Sequence, residues 1–170
     1  MLKEFLSQLY DNLTNYREPL RPPGAVPQKD FTKMCIKCMK CAQVCPYHSI
    51  VIAHLKGDKN MGTPFIYPRK TPCYLCMKCP EVCPSGALEI VREREVKMGI
   101  AVIDEGKCLP YNDVICFLCF KACPMFREAL ILVDERYPKV VAEKCVGCGI
   151  CEKICPVEDS AIIVRRMDTK

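Results

Sequence analysis

Apolar residues along this chain come in short bursts, never in long runs, and the bursts recur. Ser49-Ile50-Val51-Ile52-Ala53, Ala87-Leu88-Glu89-Ile90-Val91, Ile100-Ala101-Val102-Ile103-Asp104, Ala129-Leu130-Ile131-Leu132-Val133, Lys139-Val140-Val141-Ala142 and Ala161-Ile162-Ile163-Val164 are rich in aliphatic, often β-branched side chains, which predicts short strands. Ala87–Val91 is expected to pair with Ile100–Asp104. Ala129–Val133 is expected to pair with Lys139–Ala142 across a turn at Arg136-Tyr137-Pro138. Lys56–Gly62 reads as a turn-rich loop, and Pro64–Pro68 leads back from it. At the start, Leu2, Phe5, Leu6, Leu9, Tyr10 and Leu13 fall at helical spacing, so residues 1–16 predict an amphipathic helix. Lys3, Glu4, Gln8 and Asp11 break its apolar run. A membrane span needs about 20 apolar residues and a secretory leader an unbroken apolar stretch, so neither is expected, and no twin-arginine pair stands near the start. Residues 17–30 carry Pro19, Pro22, Pro23, Gly24 and Pro27 and predict an extended linker, neither helix nor strand. The organisation expected is a helix and Pro-rich arm over 1–30, then a body over 31–170.

Between the bursts lies one repeated motif. Cys35, Cys38, Cys41 and Cys45 before Pro46 read C-x2-C-x2-C-x3-C-P, as do Cys73, Cys76, Cys79 and Cys83 before Pro84, and Cys145, Cys148, Cys151 and Cys155 before Pro156. The third copy is stretched: Cys108, then Cys116, Cys119 and Cys123 before Pro124. The four sets use all sixteen cysteines. This is the spacing by which bacterial-type ferredoxins hold [4Fe–4S] clusters: three thiolates on a tight loop reach one cube, and the fourth, after a short helical turn, ligates a second. The proline ends that turn. Gly147 and Gly149 let backbone amides approach the sulfurs, which is one lever on reduction potential. The fold class expected is therefore α+β: two bacterial-type dicluster ferredoxin domains, short strands and short helices around four [4Fe–4S] clusters, plus the N-terminal helix. All sixteen cysteines are candidate iron ligands. The insert Leu109–Ile115 reads as a loop thrown out between two ligands, with Phe117, Leu118 and Phe120 as an apolar cover. Met39, Tyr74 and Met77 read as packing around the cubes.

Composition narrows the alternatives. A disulfide scaffold does not repeat this motif, and zinc sites pair C-x2-C halves or mix Cys with His, whereas this chain has two histidines, His48 and His54, that the cysteine sets do not need. The chain has no Trp, 14 Pro and few aromatics, so the clusters themselves supply part of the core. Its formal charge is +5; four thiolate-bound clusters at about −2 each bring the loaded protein to about −3. The basic excess thus reads as internal compensation, with Lys37, Lys40, Lys78, Lys121 and Lys153 inside the cysteine motifs, and not as a nucleic-acid footprint.

From Arg21-Pro22-Pro23-Gly24-Ala25 onward the chain resembles the four-cluster ferredoxins associated with periplasmic nitrate reductase and methylamine utilisation. The resemblance rests on Gly62-Thr63-Pro64, Pro68-Arg69, Pro72-Cys73-Tyr74-Leu75-Cys76, Pro84-Ser85-Gly86-Ala87-Leu88, Met98-Gly99-Ile100-Ala101-Val102 and the stretched third motif. Family members carry a twin-arginine leader and a longer gap between the second and third cysteines of motif two; here Cys76 and Cys79 keep x2. The length, the four clusters and the missing leader look like the cytoplasmic small electron-transfer subunit of tungsten-containing aldehyde oxidoreductases.

The function these observations imply is electron transfer without catalysis. No Ser–His–Asp or Cys–His set remains once the cysteines are assigned, and no G-x-G-x-x-G or phosphate loop is present. The resemblance implies a cytoplasmic subunit carrying electrons between a catalytic oxidoreductase subunit, a tungstopterin enzyme, and a ferredoxin or flavin-type acceptor. The alternatives are a carrier for a nitrate reductase or other molybdenum enzyme and a freely diffusing shuttle. No nucleic acid and no membrane insertion are expected. Two pairings of the motifs are possible. The short link from Cys123 to Cys145 favours sequential pairing, one with two and three with four. The resemblance to the inner motif pair of four-cluster subunits in molybdenum and tungsten oxidoreductases favours nested pairing, which is the expectation: Cys45 completes the set of Cys145, Cys148 and Cys151, and Cys155 completes that of Cys35, Cys38 and Cys41.

Overall fold

The computed structural model describes residues 18–54 and 60–167. The helix expected over 1–16 lies outside the described residues, as does most of the 56–62 loop. The helices are α1 Gln28–Met34, α2 Lys40–Val44, α3 Lys78–Glu81, α4 Leu118–Ala122 and α5 Ile150–Ile154, with 3-10 turns at Glu93–Glu95 and Leu109–Asn112. The strands are β1 Ile50–Ile52, β2 Pro64–Ile66, β3 Ile100–Ile103, β4 Leu130–Val133, β5 Tyr137–Val140 and β6 Ile162–Arg165.

Each cysteine motif folds into a loop, one helical turn and a sharp stop. In three of the four, the residue before the turn is left-handed: Met39 (φ 62°), Met77 (φ 56°) and Gly149 (φ 81°). That conformation aims the third cysteine back toward the first two. The stop follows from proline chemistry, since the residue before a proline is pushed out of the helical region. Cys45, Cys123 and Cys155 accordingly have ψ of 109°, 123° and 126°.

The strands form three two-stranded antiparallel sheets, β1–β2, β3–β6 and β4–β5. The predicted β4–β5 hairpin is present, with Leu130 opposite Val140. Its turn is Asp134–Arg136, with Asp134 and Glu135 at positive φ (49° and 56°) and the Arg136 amide bonded to Val133 O at 3.1 Å, so it holds Arg136 but not Tyr137 and Pro138. Two left-handed residues in a row match the twist of a tight hairpin, and Tyr137 and Pro138 are thereby in the strand. The expected pairing of Ala87–Val91 with Ile100–Asp104 does not occur. Residues 92–99 cross from one half of the molecule to the other, with the Met98 amide bonded to Val146 O at 3.1 Å. β3 therefore enters the second half and pairs with the last strand, Ala101 opposite Val164.

The Pro-rich segment is not a loose linker. Leu20, Arg21, Pro22 and Pro23 are buried, Leu20 bridges Ile66, and Ala25 bridges Leu88. Gln28–Asp30 belong to α1, which starts right after Pro27; a proline's fixed φ suits a helix start. Arg21 holds the arm down: its guanidinium donates to Thr63 Oγ1 and Pro64 O, both at 2.8 Å, and lies 4.6 Å from the Phe31 ring centre. The molecule thus has two modules, one with motifs one and two, the arm and β1–β2, the other with motifs three and four between β3 and β6.

Candidate metal centres

All sixteen cysteines are free thiols, and the fold gathers them in sets. Cys45 lines one cavity with Cys73, Cys76 and Cys79, beneath Ile50, Ile66, Tyr47 and Tyr74. Cys123 lines a second with Cys145, Cys148 and Cys151, walled by Ala101, Leu130, Val140 and Val164. Cys155 lines a third with Cys108, Cys116 and Cys119, walled by Ile103, Leu109, Leu118 and Ile162. These three fourth cysteines have each crossed to the sequential neighbour's loop. The nested pairing expected above is therefore wrong: Cys45 does not join Cys145, Cys148 and Cys151, nor does Cys155 join Cys35, Cys38 and Cys41. The reason is local. α2 packs on α3 and α4 on α5, and the short strand after each helix returns the chain to its neighbour, so the nearest loop in sequence is the nearest in space.

Cys35, Cys38 and Cys41 form the remaining trio, and Cys41 is repelled by the other two. The fourth cysteine left over is Cys83, which follows α3; three residues on, an added Cβ on Gly86 would stand 3.6 Å from Met34 Cε, next in sequence to Cys35.

The electrostatics say what such sets can hold. Burial first, then the charge of cysteines in the same set, pushes the thiols of Cys41, Cys73 and Cys108 up to about 11, and those of Cys119 and Cys148 up to about 12. Cys79 and Cys151 are driven up by the same two causes. Bare thiolates crowded in apolar cavities are unfavourable; bound iron deprotonates them outright and offsets their repulsion. A zinc ion bound at about 2.3 Å needs its four sulfurs within about 4 Å of one another. Among the described residues no three His, Cys, Asp or Glu side chains converge tightly enough for one ion. A cube of iron and sulfide sets its outward ligands farther apart, so the donor sets fit a cluster.

Backbone amides face several sulfurs, from Ser49 to Cys45 (3.4 Å), Leu75 to Cys73 (3.4 Å) and Ala161 to Cys155 (3.3 Å). Cys83 differs: burial raises its thiol, but amides of Leu88, Ser85 and Ala87 and the Ser85 hydroxyl outweigh it, and its pKa is lowered. The amide of Ile150, just after Gly149, does face the Cys148 sulfur, and Gly147 and Gly149 meet a packing demand besides. Each has positive φ, and a Cβ would strike Gly99 N or Pro68 Cβ, both at 2.3 Å. Gly149 lets the two modules meet at Pro68, while Gly147 makes room for the chain entering β3 within the second module. The 109–115 insert is folded back: Pro110 is buried, Tyr111 stacks on Tyr137 at 5.1 Å, and Asn112 Nδ2 donates to Cys108 O at 3.0 Å. Of the predicted cover, Leu118 lines the third cavity, while Phe120 packs on Phe126 at 4.9 Å. Tyr74 and Met77 line a cavity as expected, but Met39 is exposed. His48 and His54 are exposed.

One arrangement had no signal in the sequence. The Cys73 amide donates to Cys148 O across the modules at 2.9 Å. Arg69 spans the same seam, donating to Glu152 O, Cys155 O, Val157 O and Glu158 O at 2.8–2.9 Å, the last carbonyls around α5.

Comparison with known proteins places this geometry. Residues 34–87 and 72–126 match a 4Fe-4S dicluster domain, and residues 101–163 match another 4Fe-4S dicluster domain. The chain is 39% identical over 157 residues to the methylamine utilization ferredoxin-type protein MauM of Methylorubrum extorquens, covering 85% of this chain and 71% of that protein. It is 39% identical over 160 residues to the ferredoxin-type protein NapG of Escherichia coli, covering 85% and 69%. The chain belongs to this MauM and NapG family of ferredoxin-type proteins. It is an iron–sulfur electron-transfer protein, and its dicluster domains and sixteen cysteines fit four [4Fe–4S] clusters.

Proposed function

We propose that this member of the family is a four-cluster electron wire between a redox enzyme and a second carrier, with the sixteen cysteines as iron ligands in two reciprocal pairs. Cys35, Cys38 and Cys41 act with Cys83; Cys73, Cys76 and Cys79 with Cys45; Cys145, Cys148 and Cys151 with Cys123; Cys108, Cys116 and Cys119 with Cys155. When bound, each cluster accepts or releases one electron. The observation that carries the reading is the exchange of fourth cysteines, since Cys45, Cys123 and Cys155 each line the cavity of the neighbouring loop.

The order of the wire rests on which sets lie within electrostatic reach. Cys41 acts on Cys79, Cys73 on Cys148, and Cys119 on Cys151. The ligand sets so ordered run from that of Cys38 to that of Cys76, across the seam to that of Cys145, and on to that of Cys116. The Cys73–Cys148 hydrogen bond joins the two middle sets, and Arg69 holds the seam at that separation.

The relatives' names favour a partner of the methylamine-utilising or nitrate-reducing kind over the tungstopterin aldehyde oxidoreductase expected from the sequence. Protein reconstituted without oxygen should bind about sixteen iron and sixteen sulfide per chain and take up about four electrons. A folded, zinc-loaded chain with no reducible iron would overturn the reading. Reduction of the chain by a purified methylamine-oxidising enzyme, or its oxidation by a nitrate-reducing one, against reduction by an aldehyde-oxidising enzyme, decides the partner.

A further inference from the structure

The two ends of the proposed wire, on which this inference rests, differ in surface chemistry. At one end Cys38 is the one exposed cysteine of the sixteen. Around it Ile36 is 64% and Met39 49% exposed, and Met34 is exposed beside them. Lys33, Lys37 and Lys40 are exposed in the same stretch, and residues 31–44 contain no acidic residue; the exposed acid on the neighbouring α3 is Glu81. At the other end Cys116 is half-buried next to exposed Val114 and Ile115, and the exposed charges near its set are mixed: Asp104, Glu105, Glu158 and Asp159 with Lys107, Lys121 and Lys153, and Asp113 paired with Arg136.

We propose that the Cys38 edge is a docking surface for an acidic one-electron redox protein. A surface cysteine puts the edge of its bound cluster next to a partner. Exposed Met34, Ile36 and Met39 supply an apolar centre, and three lysines supply the basic rim that steers a negatively charged partner and fixes its orientation. The far end interleaves acids with its lysines and offers no such acid-free basic stretch, so the chain is polar along the wire and the two ends receive different proteins.

The test uses the loaded full-length chain, reduced and freed of reductant, and two soluble ferric cytochromes, one of net negative and one of net positive charge. Each encounter passes one electron from the chain to the haem, ferric becoming ferrous. Lys33→Glu, Lys37→Glu and Lys40→Glu combined should slow reduction of the acidic cytochrome by about tenfold or more at low ionic strength. The effect should fade as salt rises, with iron content and visible spectrum unchanged. Glu105→Lys with Glu158→Lys should leave the acidic cytochrome's rate within about twofold while slowing the basic one. A triple lysine variant that reduces the acidic cytochrome at the unmodified rate would overturn the proposal. So would that same result together with lysine-dependent binding to phosphatidylglycerol vesicles, which would make the edge a membrane-surface contact. A chain that cannot be loaded, or that reduces neither cytochrome, would instead defeat the electron-wire reading itself.

Discussion

The two modules hold the same cysteine loops by different means. The second is framed by its own chain ends: β3 and β6 pair along four residues, and β4–β5 closes the other side. The first, among the described residues, has β1–β2 as its one sheet. In place of a second sheet it borrows the arm, through the Ala25–Leu88 bridge and the Glu89 amide donating to Gly24 O at 2.7 Å. The loops differ as well. The first module puts Lys37, Met39, Leu75 and Met77 at positive φ, where the second uses Gly147 and Gly149. A side chain in that region costs roughly 1–2 kcal/mol. The first module carries that strain four times because its loops have room for side chains. The fourth motif cannot, because the entry to β3 crowds its loop at Gly147 and Pro68 of the other module crowds it at Gly149.

The sharpest way to break the comparison is at Gly24. Its φ is 78°, and an added Cβ would lie 2.0 Å from Glu89 O. Gly24→Ala should cost about 3 kcal/mol or more, because neither backbone can yield without losing the Gly24–Glu89 hydrogen bond. The expected outcome is asymmetric: iron falls to about half, with the second module still loaded. Uniform loss from both modules would show that the arm supports the whole molecule. The converse variant is Glu152→Ala. Glu152 is 1% exposed and its carboxylate accepts the Val164 amide at 2.7 Å, fastening α5 to β6. Removing it leaves a buried strand amide without that acceptor, at about 2–3 kcal/mol. Bleaching of the visible absorbance in denaturant should then move earlier for the second module alone.

How far the sequence reveals this follows from the range of the forces involved. The cysteine loops and their stops are local: spacing, a following proline and a short aliphatic strand specify Cys45, Cys123 and Cys155 without reference to anything distant. Ile50–Ile52, Leu130–Val133 and Ile162–Arg165 were likewise legible as strands. The partner of β3 was not, since a four-residue aliphatic strand pairs equally well with several others and the choice is made by where Met98 and Val146 meet. The arm was read as a linker because prolines lack donors; its burial depends on Arg21 reaching residues 39–43 positions away. Cluster pairing failed because the resemblance to other subunits outweighed chain proximity. Gly147 and Gly149 were read for sulfur hydrogen bonding alone; the packing that also demands them is long-range, Gly99 at the entry to β3 for Gly147 and Pro68 of the other module for Gly149.

Arg69→Ala addresses the seam itself. The guanidinium serves four carbonyls of the other module, some of them at the surface where water replaces it, so the loss should be about 1–2 kcal/mol. Iron content should stay near that of the unmodified protein. Magnetic coupling between the two middle clusters of the reduced protein should weaken, because the Cys73–Cys148 contact is no longer clamped. Unchanged coupling would assign the seam to Gly149 on Pro68 alone.

The smallest effect tests the claim about strain. Met39 and Gly149 occupy the same place in their motifs, before the helical turn and at positive φ (62° and 81°). If the first module carries a side chain there only because space allows it, Met39→Gly removes roughly 1–2 kcal/mol of left-handed strain. Glycine's greater freedom in the unfolded chain takes back about 0.5–1 kcal/mol, and a half-exposed methionine gives up a further fraction of its burial. The balance is a change of at most about 1 kcal/mol, neutral or stabilising. Gly149→Ala has the opposite sign, because its Cβ would meet Pro68 Cβ at 2.3 Å as well as the strain. Both variants are read from the denaturant midpoint of cluster bleaching, with iron content as the control. Equal losses at the two positions would mean that the loops of both modules demand their own residue and that the assembled seam does not explain the glycines. A neutral Met39→Gly beside a damaging Gly149→Ala locates the requirement where the structure puts it, in the face that one module presents to the other.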